Sequence, residues 1–182
     1  MPDYRRAYVA GGTYFFAVTT YLHRPILTDP RCMAALRAAI DAVRRSHPFE
    51  ILAWVVLPDH LHCVWTLPGD DHDFSRRWSL IKQRVSRGCA HWIDDTVPTT
   101  QSRSKRREST LWQRRFWEHL VRDEQDLSRH VDYVHYNPVK HGYVTRAALW
   151  PHSTFHRYVR ERVYPADWAG GAVAGESCEF GE

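Results

Sequence analysis

The sequence predicts an α+β fold: an antiparallel sheet of the ferredoxin-like, split βαβ kind, with helices packed on one face. Three observations carry that expectation. Four short stretches are rich in β-branched and aromatic residues and three longer ones place apolar residues at helical spacing, in the order β-α-β-β-α-β-α. The second and third strands are joined only by Pro58-Asp59, and so short a turn forces them antiparallel. A helix lies on either side of this hairpin in sequence, which leaves the other sheet face free to carry a site.

The elements follow in chain order. After the turn signal Gly11-Gly12, TYFFAVTTYL reads as a strand that is over by Pro25. Thr28 or Asp29 offers a cap for a helix over Pro30 to Ser46, in which Met33, Leu36, Ile40 and Val43 step by 3, 4 and 3. Residues 50 to 57 and 60 to 67 form the hairpin strands. A second helix is expected from Asp73 to Trp92, with Phe74, Trp78, Ile81 and Val85 inward and a stripe of Arg77, Arg84, Arg87 and His91 outward. Residues 96 to 110 have almost no apolar content and read as a basic loop, and 111 to 121 return to strand-like composition. A third helix begins near Asp123 and is expected to stop at Asn137, before Pro138. A shorter helix is expected between Ser153 and Arg162.

A chain of 182 residues fits one domain, here 1–165, followed by a tail (166–182) of four acids and four glycines with no base. The four cysteines, Cys32, Cys63, Cys89 and Cys178, are far apart and form no CxxC pair, so neither a zinc ribbon nor a disulfide framework is indicated. The first residues, MPDYRRAYVAGG, lack an apolar run of signal-peptide length, and no segment approaches the roughly 18 apolar residues of a membrane helix. A soluble, cytoplasmic protein with no membrane partner is expected.

The net charge of +4 hides an asymmetry. Between Arg76 and Arg115 stand eleven Lys/Arg against three acids, a local +8, so the rest of the chain totals −4. Interleaved with Trp78, Trp92 and Trp112, this block has the composition of a surface for a phosphate backbone. Its candidate DNA contacts are Arg77, Lys82, Arg84, Arg87, Arg103, Lys105, Arg106, Arg107, Arg114 and Arg115. A merely solvated basic face is the alternative.

Within the third strand, LPDHLHCVW places His60 and His62 on one face, because side chains alternate. Two imidazoles about 7 Å apart along the strand can converge on one cation, but two nitrogens alone do not hold it. On the third helix, Asp126, His130, Tyr133 and Asn137 fall on one side, opposite Leu127, Val131 and Val134. Nothing in the spacing says how near Tyr133 comes to His62. Asp59 reads as a turn residue.

DHLH followed by a basic helix, then LWQRRFWEHLVRDEQD and YVHYNPVKHG, resembles the single-tyrosine HUH transposases, in particular the branch called REP-associated tyrosine transposases. YRRAYVAGGTYFFAVTTYLHRPIL and LWPHSTFHRY add to the resemblance, which spans residues 4 to 165. It implies that His60 and His62 bind a divalent metal, Mg²⁺ or Mn²⁺, that Asn137 supplies a third ligand, and that Tyr133 is the nucleophile on single-stranded DNA. It further implies a hairpin-forming repetitive extragenic palindrome (REP) as substrate and a monomer, whereas related insertion-sequence enzymes are dimers. Tyr136, about 60° round the helix, is not excluded by helical geometry. Two other readings stay open: a nuclease in which water attacks, and a non-catalytic nucleic-acid binder. Zinc is the competing metal, since two histidines also suit it.

Overall fold

The computed structural model describes residues 6–93, 101, 105 and 109–168. Among these the elements are β1 (Thr13–Thr19), α1 (Pro30–Ser46), β2 (Glu50–Val56), β3 (His60–Thr66), α2 (Phe74–Gly88), β4 (Trp117–Leu120), α3 (Glu124–Lys140) and α4 (Phe155–Arg160). The four strands form one antiparallel sheet in the order β2-β3-β1-β4, the ferredoxin-like arrangement. The tail beyond Trp168 and the basic positions Arg103, Arg106 and Arg107 lie outside the described residues, as does most of the expected loop 96–110.

Alternation along β1 divides its side chains between two cores. Tyr14, Phe16 and Val18 join Leu61, Cys63 and Trp65 of β3 beneath α1 and α2. Trp65 and Trp78 stack there with ring centroids 4.4 Å apart, and burial of each such ring is worth roughly 2–3 kcal/mol. All four apolar positions expected on α1, and all four on α2, are buried in this layer. Asp29 is the cap of α1, accepting from the backbone N–H groups of Arg31 and Cys32.

The second face is covered rather than free. Phe15, Ala17, Val55 and Val64 meet Val131, Tyr133 and Val134 of α3, so the late helix lies across the sheet opposite α1 and α2. The helices of the split βαβ unit share one face as expected, and α3 roofs the other. Helical periodicity had marked only one side of α3 as apolar, yet Asp126, His130, Tyr133 and Asn137 on its polar side are buried too.

Three element boundaries differ from expectation. The strand expected over 111–121 is regular only at Trp117–Leu120, while Trp112 makes a single bridge to Thr20. α2 ends at Gly88, and a separate 3-10 turn holds Ala90–Trp92. Pro138 does not stop α3, which runs on to Lys140: a proline this close to the end costs few backbone bonds, and Tyr143 N donates back to Pro138 O at 3.0 Å.

The outer edge of β2 is sealed by the C-terminal segment. Val56 N donates to His152 O at 2.9 Å, Trp150 Nε1 donates to Val56 O at 2.9 Å, and Tyr158 Oη donates to Leu52 O at 3.0 Å. Trp168 packs on Tyr164, 4.6 Å between ring centroids.

Candidate active site

The strand register builds the site. His62 sits opposite Ala17, which in turn faces Trp117, and Val64 sits opposite Phe15, which faces His119. His60, His62, Phe15, Trp117 and His119 therefore share the sheet face under α3. Small Ala17 leaves room beside His62, and the ring of Phe15 stacks on it at 5.4 Å.

The two imidazoles approach each other at 4.9 Å between ring centroids. Asp59 orients the first of them: His60 Nδ1 lies 2.7 Å from Asp59 Oδ1, and since a carboxylate only accepts, the proton is on Nδ1. Burial alone would raise the Asp59 carboxyl. The hydrogen bond and charge of His60, with a smaller contribution from His23, hold it below its ordinary value instead. His60 Nε2 is left buried and without a hydrogen-bond partner, facing the interior of the site. A carboxylate behind a histidine whose far nitrogen is bare is the arrangement in which histidines ligate metals. Behind Asp59, His23 Nδ1 contacts Oδ2 at 3.2 Å, and Gln113 Nε2 reaches His23 Nε2 at 3.3 Å. His23 has a left-handed backbone, φ 53°, as does Leu22 at φ 58°.

Tyr133 projects from α3 edge-on to His62, with ring centroids 5.3 Å apart. Lys140, two turns further along the helix, donates from Nζ to Tyr133 Oη at 3.2 Å and lies 4.9 Å from the ring centre. Asn137, one turn on from Tyr133, is fully buried. Tyr136 turns away, its ring edge-on to Trp168. His60, His62 and Tyr133 thus meet between β3 and α3, with Asn137 buried one turn further along the same helix.

Sequence reasoning missed Asp59, Lys140 and His141, the last with its ring 5.0 Å from His60. Tyr133, Asn137 and His141 step by four, a signal hidden by reading Pro138 as a stop. It also missed a second cluster beside the site. Asp126 accepts from His119 Nε2 at 2.8 Å, from Arg122 Nε at 3.1 Å and from Arg122 N at 3.0 Å, with His130 Nδ1 at 3.2 Å. Burial would raise this carboxyl, but His119 and Arg122 hold it far below the carboxylate range. The ligating atoms of His119, Asp126 and His130 lie within 4.8 Å of one another. The Arg122 guanidinium already neutralises the carboxylate, so the cluster serves to pin the start of α3 to β4.

The basic positions divide three ways. Arg84, Arg87, Lys105, Arg114 and Arg115 are exposed. Lys82 is half-buried and donates to Gln113 O at 2.9 Å, with Trp112 and Phe116 nearby. Arg77 is a correction: it is fully buried, donating to Asp71 Oδ2 at 2.7 Å, Pro48 O at 2.8 Å and Asp73 O at 2.9 Å, and reaches no nucleic acid. A cavity of about 860 Å³ runs between α2 and residues 109–116, lined by Lys82, Arg87, Arg114, Trp112 and Phe116. Its floor residues, Trp78 and Phe116, pack with the α1/α2 layer, so it opens on the side of the sheet opposite His62.

Comparison with known proteins gives the same direction. The model of the family described as "Transposase IS200 like" matches residues 9–137. The REP-associated tyrosine transposase of Escherichia coli is 46% identical over 170 residues, 93% of this chain and 92% of that protein. A solved structure of the REP-associated tyrosine transposase bound to a REP hairpin superimposes with a TM-score of 0.80 at 46% identity, covering 97% of this chain and 96% of that one.

Proposed function

This chain belongs to the IS200-like transposase family, and from that premise we propose that it cleaves and rejoins single-stranded DNA at REP-type hairpins through a 5′-phosphotyrosine intermediate on Tyr133. The observation that carries the proposal is the edge-on approach of Tyr133 to His62, with Lys140 on its hydroxyl.

Tyr133 Oη attacks the phosphorus of a phosphodiester, the bond from oxygen to the 5′-phosphate forms, and the bond to the 3′-oxygen breaks. The phenol gives up its proton as its bond to phosphorus forms, and the departing 3′-oxygen takes one to become a 3′-OH. Because the phosphotyrosine keeps the bond energy, a DNA 3′-OH reverses the step without ATP. Lys140 fixes the direction of Oη and places positive charge where a phosphate oxygen arrives. The roof of α3 over Phe15 and Ala17 limits water, favouring transfer to DNA over hydrolysis.

His60 Nε2, His62 and the Asn137 amide fit an open divalent site, Mg²⁺ or Mn²⁺ by the family resemblance, with Asp59 as the second-layer partner of His60. Such an ion supplies charge neutralisation and alignment at the scissile phosphate. The cleft beside α2 and the exposed Arg84, Arg87, Arg114 and Arg115 are suited to a hairpin stem. Trp117 and His119, near-parallel at 5.9 Å on the edge strand, offer a surface for unpaired bases. We take residues 1–165 as the unit that performs this chemistry, acting as a monomer.

The test is a denaturing gel of protein incubated with Mn²⁺ and a hairpin oligonucleotide labelled at its 3′ end, which stays with the tyrosine-linked fragment, and carrying a 5′ single-stranded foot. Wild type and Tyr136→Phe are expected to give a covalent adduct and Tyr133→Phe none. Cleavage without an adduct in the wild type would transfer the reaction to a water nucleophile.

A further inference from the structure

The joint between α1 and α2 gathers four side chains that the proposed reaction does not use. Cys32, in the first turn of α1, and Cys89, directly after α2, are both buried in the layer beneath the two helices. Asp29, the cap of α1, stands beside Cys32. His91 lies in the 3-10 turn after Cys89, with Nε2 3.6 Å from Asp29 Oδ1. The ligating atoms of Asp29, Cys32 and His91 all fall within 4.8 Å of one another. Gly88 makes this approach possible, since a Cβ there would lie 2.6 Å from Ala35 Cβ.

We propose that Asp29, Cys32, Cys89 and His91 form a closed, structural binding site for Zn²⁺, separate from the histidine pair. Two sulfurs, one imidazole and one carboxylate are a zinc donor set, and four protein ligands leave no open position for chemistry. Around tetrahedral zinc, with ligand bonds of 2.0–2.3 Å, neighbouring donors stand about 3.3–3.8 Å apart. The Asp29–His91 separation is already in that range, Cys32 needs a contraction of about 1 Å at most to join them, and the Cys89 thiol, on the residue that ends α2, turns in to complete the shell. Asp29 and His91 are partly exposed, at 26% and 35% of their side-chain surface, which gives the ion an entrance, while the thiols close the inner end. Binding releases the two thiol protons to solvent. Cys32 and Cys89 belong to the core layer beneath α1 and α2, across the sheet from His62, so the two sites do not share a ligand. An ion here ties the start of α1 to residue 91, a few positions ahead of the basic stretch that begins at residue 96.

Cobalt distinguishes this site from the histidine pair, because only thiolate ligands give near-ultraviolet sulfur-to-cobalt charge transfer. The full chain, metal-free and held reduced by a phosphine, is titrated with Co²⁺ and then Zn²⁺. One equivalent of Co²⁺ is expected to produce the charge-transfer band with tetrahedral visible bands, and Zn²⁺ to erase them. His60→Ala/His62→Ala keeps the band, Cys32→Ser/Cys89→Ser loses it, and His91→Ala lowers the affinity about tenfold or more. No band in the wild type, or an equal band in the serine variant, overturns the proposal. Should the serine variant not fold, the surface change His91→Ala decides alone, and an unchanged affinity overturns it.

Discussion

Asp59 and Arg77 show how far single residues could be read. The alternation that put His60 and His62 on one face was legible because period two is a property of the strand itself. The role of Asp59 was not, since a turn residue and a carboxylate aimed at a histidine look alike until the turn is folded. Asp59→Asn is expected to leave the fold intact and to weaken Mn²⁺ binding about 10–100-fold, measured by calorimetric titration. Arg77 was placed on the outer stripe because a guanidinium is expected in water. Yet it lies three residues after Phe74 and four before Ile81, on the apolar side, and the structure buries it against Asp71. The Arg77 guanidinium holds the Asp71 carboxyl down to about 2. A folded value below the ordinary 3.8 means stability that is present above pH 4 and lost as pH falls through about 2. Asp71→Asn is expected to cost about 1–3 kcal/mol at neutral pH and to flatten the acid limb of a urea-stability profile.

At the scale of elements, strands and helices were visible in composition and period, whereas their ends and faces depended on neighbours. Helical periodicity shows that one side of α3 is apolar. It cannot show that a second side will be buried when the helix lies on a sheet whose own residues, His62 and Phe15, supply the polar and aromatic contacts. Reading Pro138 as a stop removed from view both Lys140, which meets the Tyr133 hydroxyl, and His141, whose ring meets His60. The α1–α2 contact is another property invisible in either helix alone. Gly88→Ala gains helix propensity of about 1 kcal/mol, but its methyl meets Ala35 at 2.6 Å, and overpacking of this kind costs about 1–3 kcal/mol. A net loss of stability with a displaced α1–α2 joint is expected, measured by denaturant unfolding.

For the whole molecule, the charge asymmetry was the most informative number, because phosphate binding follows from charge density without any knowledge of fold. What it could not give is geometry: the basic cleft and the histidine pair lie on opposite sides of one sheet. A hairpin engaging both must pass round the β4 edge. Arg84 and Arg87 are exposed on α2, so replacing both with Ala spares the fold. The slope of log binding constant against log salt concentration is then expected to fall by about 1.5–2, read by fluorescence anisotropy between about 50 and 200 mM salt. Among the described residues, no helix is long and apolar enough to cross a membrane.

The sealing of β2 by Val56, Trp150 and Tyr158 bears on how copies of this chain can meet. A sheet grows by adding a strand to an open edge, and that edge is already occupied by the protein's own C-terminal segment. Extension of the sheet into a second copy has to use β4, whose side chains Trp117 and His119 lie on the same sheet face as His60 and His62. Self-association through the sheet and the proposed passage of DNA round the β4 edge then contend for the same four residues, so on the proposed function crowding the protein works against its substrate instead of assembling a better enzyme.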